Sequence, residues 1–137
     1  MTNPYNKCIL VLTTLLHCCS LFPSLYHNKI NYNISILYNI VITLATIFSI
    51  LWHLDETKKI IMYIDYLLAF IWLVLDIYIA LLNYILLIQV LLLNFIIFYL
   101  NILIKKNDSY YIYHSIWHII SSVKCLYTVY LFTHLEN

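Results

Sequence analysis

From residue 60 to residue 104 the chain carries only two charged side chains, Asp65 and Asp76. A helix needs roughly 20 apolar residues to cross a hydrocarbon core about 30 Å thick. This run is too long for one crossing and fits two, with Asn83 and Tyr84 as the tight turn between them. The same ruler divides the rest of the chain. Residues 8–25 are apolar and follow Lys7, residues 34–54 are apolar, and residues 110–132 form the last apolar stretch. Polar residues 26–33, the charged DETKK of 55–59 and the KKNDS of 105–109 separate them. The expected fold class is all-α: an integral membrane helical bundle of about five transmembrane helices, over 8–25, 34–54, 60–82, 84–104 and 110–132, making one domain. Composition agrees, because 9% of residues are charged and 64% hydrophobic, where a soluble domain has about 25% charged. The first span also has the look of a signal peptide, with Cys18-x-Ser20 as a small-residue cleavage site. Its apolar stretch continues to Tyr26 without an A-x-A, which favours a retained span.

The chain has no glycine and no arginine. Phosphate-cradling glycine loops, the dinucleotide fingerprint and GxxxG helix pairing are therefore excluded. The scarcity of residues with GC-rich codons points to an AT-rich genome. Seven lysines against six acids give a net charge of +1 with no basic patch, so nucleic acid is not an expected partner. Cys8, Cys18, Cys19 and Cys125 form no CxxC pair and read as free, buried thiols.

The lysines set the expected orientation. Five spans bring Lys7, Lys58, Lys59, Lys105 and Lys106 to one side, which should be cytoplasmic. The N-terminus is then inside and the C-terminus outside or lumenal. Lys29 lies on the other side, and Lys124 is read as a residue late in the last span that snorkels toward it.

Ionisable groups are costly inside a bilayer, so each one within a span needs a reason. Ser49 and His53 are one turn apart near the end of the second span, and His114 and His118 are one turn apart at the start of the fifth. Spacing of i, i+4 puts each pair on one helix face. The orientation read from the lysines brings both pairs and Asp65 to a similar depth. Three imidazoles with an open fourth position are a catalytic zinc arrangement, in which a carboxylate can take a proton from bound water and a hydroxyl can orient or donate. Each motif is weak alone. His53 and Asp65 also read as interfacial residues at helix ends, and His114 with His118 as groups that hydrogen-bond between helices.

The ordered set of S-I-L-W-H (Ser49 to His53), Asp65, and H-S-I-W-H (His114 to His118) resembles the CREST superfamily of membrane hydrolases. That superfamily comprises the alkaline ceramidases, the progestin/adipoQ receptors and the post-GPI-attachment lipase-like proteins. The local flavour of SILWHLDE, MYIDYLLAF and YHSIWHII is most similar to the last branch. The resemblance runs from about residue 34 to 132 and rests on five positions. It implies zinc ligated by His53, His114 and His118, with Asp65 and Ser49 as catalytic partners and a membrane lipid as substrate. The family core has seven spans against five here, so two middle helices are missing between Asp65 and His114. Trp52 replaces the usual smaller aromatic before the first histidine.

The expected function is thus a zinc-dependent membrane hydrolase acting on a lipid amide or ester. The alternative is a non-enzymatic small membrane protein, such as a viral envelope or scaffold component or a proton-relay channel. Asp76, three turns beyond Asp65, either lines the same cavity or pairs helices. His17 is read as a helix-contact histidine, Asn94 and Gln89 as pairing between helices, and Tyr110, Tyr111, Tyr113, Tyr127 and Tyr130 as an aromatic belt.

Overall fold

The computed structural model describes residues 4–21, 32–81, 83–106 and 110–134. The described residues are helical except at short connections, with no strand among them. Helix α1 spans Pro4–Leu15 and continues as a 3-10 turn, Leu16–Ser20. Helix α2 spans Tyr32–Leu54, α3 Lys59–Ala80, α4 Tyr84–Lys106 and α5 Tyr110–His134. Within these, 33–54, 59–80 and 84–103 are long and apolar enough to cross a membrane.

Regular helix begins at Pro4, ahead of the expected 8–25 span, and tightens after Leu15. The Thr13 and Thr14 hydroxyls bond back to the Ile9 and Leu10 carbonyls at 2.8–3.0 Å. Such back-bonding competes with the helical ladder and bends it. The 3-10 turn is a common way for a helix to end. The remainder of that span, most of the polar stretch 26–33 and residues 107–109 lie outside the described residues.

Helix α5 has the length of a span but carries its polarity inward. Ser115, His118, Ser121, Ser122, Lys124 and Thr128 are buried, while Ile112, Ile116, Ile119 and Val123 are exposed. The exposed set recurs every three or four residues, which is one helix face. The outside of the bundle is apolar elsewhere too, with Leu67, Phe70 and Val74 of α3 and Leu92, Phe95 and Phe98 of α4 exposed.

The connections have local causes. The Asn83 carboxamide oxygen accepts from the amides of Ile85 and Leu86 at 2.9 and 3.0 Å, capping α4 where the turn was expected. In the charged break, the Thr57 hydroxyl and amide and then Lys58 hold the Asp55 carboxyl below the usual carboxylate range. The Lys7 ammonium donates to the Leu54 carbonyl at 3.3 Å, satisfying a free carbonyl at the end of α2. The start of α1 and the break at 55–59 therefore share one end of the bundle.

The apolar core joins Tyr38, Val41, Ile42 and Ala45 of α2 to Trp72 and Ile79 of α3 and to Cys125 and Val129 of α5. Helix α1 packs against α2 and α5. Without glycine, close backbone approach is limited, and polar contacts join the helices instead. Tyr127 of α5 donates to Gln89 of α4, so this tyrosine belongs to the bundle interior and not to the expected belt. Lys124 overturns the snorkelling expectation. Its side chain is buried, with its ammonium 2.7 Å from Asp76 Oδ2 and 3.0 Å from Asn94 Oδ1. The countercharge inside the bundle replaces the pull of the interface. None of the four cysteines is in a disulfide, but only Cys125 is buried, and Cys8 and Cys19 are exposed on α1 and its 3-10 turn.

Candidate metal centre

Helices α2 and α5 bring three imidazoles together. The last turn of α2 carries His53, and the first turns of α5 carry His114 and His118. The i, i+4 spacing within α5 points both rings toward α2. Ring centroids lie 4.9 Å apart for His53–His114, 5.2 Å for His53–His118 and 4.8 Å for His114–His118. One ligand atom from each ring falls within 4.8 Å of the other two. His53 and His118 are fully buried.

Two sequence-derived partners take their places nearby. The Ser49 hydroxyl is 3.4 Å from His53 Nε2, a long contact. Asp65 contacts none of the rings directly through a hydrogen bond, but it shares a cavity wall with His114. That cavity, of about 430 Å³, lies between α3, α4 and α5. Its lining mixes aromatic side chains, among them Phe70, Trp72, Phe98 and Trp117, with polar ones such as Asn94 and Asn101.

Sequence reasoning missed Thr14. Its buried hydroxyl lies 3.2 Å from His118 Nε2, on the same nitrogen that faces His53. The available signal was Thr14 and His17 three residues apart on one face of an apolar helix. His17 behaves as a helix contact, its ring buried and 5.1 Å from both His118 and Trp72. Asp76 takes the helix-pairing option. Tyr38 Oη donates to its Oδ1 at 2.6 Å, Trp72 Nε1 donates to Tyr38 Oη at 3.3 Å, and Lys124 closes the group on Oδ2. Trp72 links the two clusters, since the Lys124 ammonium sits 5.3 Å from its ring centroid.

The donor set fits a metal ion. A tetrahedral zinc with nitrogens about 2.0–2.1 Å away spaces those nitrogens about 3.3 Å apart. The His53 Nε2 to His118 Nε2 separation of 3.0 Å is close to that value, and one ligand atom from each of the three rings lies within 4.8 Å of the others. Two neutral imidazoles meeting Nε2 to Nε2 need opposite tautomers, one donating and one accepting. The accepting ring then carries its proton on Nδ1, and the Nδ1 atoms of His53, His114 and His118 are all buried without a hydrogen-bond partner. A buried unsatisfied donor costs about 1–3 kcal/mol. Each neutral ring also offers one lone pair, and three of these within 4.8 Å make a cation site.

No family model matches the chain, and no curated protein or solved structure is detectably similar to it.

Proposed function

We propose that the chain is an integral membrane, zinc-dependent hydrolase that cleaves an amide or ester bond of a membrane lipid, and that it is a shortened relative of the CREST superfamily. The observation that carries this reading is the meeting of His53, His114 and His118 beside a cavity that also holds Asp65. The residues come from the two motifs and the single acid that define the resemblance.

In this reading His53, His114 and His118 hold the metal. Bound zinc supplies an acidified water and polarises the carbonyl to be attacked. Asp65, on the cavity wall with His114, accepts the proton at its carboxylate and delivers it to the leaving group. Ser49 orients His53 or donates to developing negative charge on the substrate oxygen. Phe70, Phe98 and Trp117, on the cavity wall, contact the lipid's apolar part. The chain crosses the membrane five times, with its N-terminus cytoplasmic. The lysine asymmetry supports that orientation, as does the Lys7 contact that keeps the N-terminal helix and the 55–59 break at one end.

Metal analysis of the detergent-purified protein tests the proposal. About one zinc per chain is expected, lost on His118→Ala together with lipid hydrolysis. Protein without stoichiometric metal, and unaffected by that substitution, would overturn it.

A second reading draws on the buried polar column that runs from His53 through His118, His17 and Trp72 to Lys124 and Asp76. Such a column suits a non-enzymatic proton relay. Proton conductance in bilayers that persists under chelation would favour it over the hydrolase.

A further inference from the structure

The cavity has a polar end that the hydrolase reading does not use. His114 and Asp65 lie at one end, and Lys124, Asn94 and Ser121 line the other. Lys124 is ten residues beyond His114 on α5, which is about 15 Å along the helix axis. Both ends face one continuous space of about 430 Å³ with aromatic walls.

The way Lys124 is held bears on what this end does. Asp76 does not line the cavity; it grips the ammonium from behind at 2.7 Å and is itself fixed by Tyr38 at 2.6 Å. Asn94 Oδ1 accepts an N–H at 3.0 Å, while the Asp76 contact is an ion pair without hydrogen-bond geometry. An ammonium has three donors, so N–H capacity remains where Lys124 lines the cavity. Asn94 donates one amide hydrogen to the Val90 carbonyl at 2.9 Å and keeps the other. Ser121 is buried and also lines the space. A pair that served helix packing alone would need no place on the cavity wall. Because Asp76 already neutralises the ammonium, the group received here is a neutral oxygen acceptor, not a second anion.

We propose that the cavity binds one single-chain amphiphile, its head at His114 and Asp65, and that Lys124 with Asn94 and Ser121 receives a neutral oxygen function carried far along the chain, such as a hydroxyl or carbonyl. The volume, near the low end of the roughly 300–1,000 Å³ of small-molecule sites, holds one acyl chain. This rests on the hydrolase reading only for which end of the ligand lies at His114.

The test uses the full chain in detergent micelles and two probes: stearic acid, and stearic acid bearing a hydroxyl about two thirds of the way along its chain. Binding is measured by competition against a fluorescent fatty acid, with and without a chelator. The hydroxylated chain is expected to bind about 10-fold tighter, a difference of about one hydrogen bond. Ser121→Ala should narrow that preference. The double variant Asp76→Asn with Lys124→Met, which leaves no bare buried charge, should abolish it, so that the two probes bind alike. The preference should persist under chelation and in His118→Ala, so failure of the hydrolase reading would leave it standing. Equal affinities of the two probes for the wild-type protein would overturn the proposal, whichever variants fold.

Discussion

His53 and His118 meet nitrogen to nitrogen, Nε2 to Nε2 at 3.0 Å, across 65 residues of sequence. One lies at the end of α2 and the other near the start of α5, and both are fully buried. The contact makes metal content the first quantity to measure. His53→Ala and His114→Ala are each expected to bring bound zinc well below one per chain, measured by elemental analysis of purified protein. Retention of full stoichiometry in both variants would remove these residues from the ligand set.

Thr14→Val removes the hydroxyl against His118 while keeping the shape of the side chain. The hydroxyl meets His118 at Nε2, the nitrogen that would face the metal, so it competes with a metal ion and does not orient the ring from its other side. Zinc affinity, read by competition with a zinc-binding dye, is therefore expected to stay the same or rise modestly. A fall of about 10-fold or more would instead make Thr14 a group that orients the bound histidine.

Asp65→Asn keeps size and polarity but cannot accept a proton at neutral pH. Lipid hydrolysis is expected to fall by about 10²–10⁴-fold, the usual worth of a general base or acid, while bound zinc stays constant. Loss of zinc together with activity would instead make Asp65 a ligand.

Asp76→Leu leaves the Lys124 ammonium buried without its countercharge. Breaking one side of a buried pair costs about 3–5 kcal/mol, which should appear as a large drop in resistance to denaturation in mixed micelles. Adding Lys124→Met to that variant is expected to restore much of the loss. If the single variant is as stable as the wild type, the pair is not holding the bundle.

Asn83→Ala removes the side-chain acceptor for the Ile85 and Leu86 amides. The expected cost is about 1 kcal/mol, seen as a modest shift in the same denaturation assay and no change in metal content.

The histidines were legible because a helix turns SxxxH and HxxxH into facing pairs, and because the lysine distribution brings their ends together without using them. The turn at Asn83 was legible from length alone, since 60–104 exceeds one crossing. Lys124 was not. Its distance from the end of α5 suits snorkelling and burial equally, and the choice depends on Asp76 and Asn94 arriving from two other helices. Thr14 was faint for a similar reason: its spacing from His17 is common by chance, and its contact exists only once α1 lies against α5. The exposed Cys8 and Cys19 follow from the same geometry, because an apolar stretch in a bundle has one face on the lipid side and only one inside.

The ion pair between Asp76 and Lys124 also bears on how the chain is made. Asp76 leaves the ribosome with α3, and its countercharge follows 48 residues later on α5. Until then α3 offers the membrane a carboxylate with only Tyr38 to share it. The pair that ties α3 to α5 can therefore form only once the fifth helix has been made.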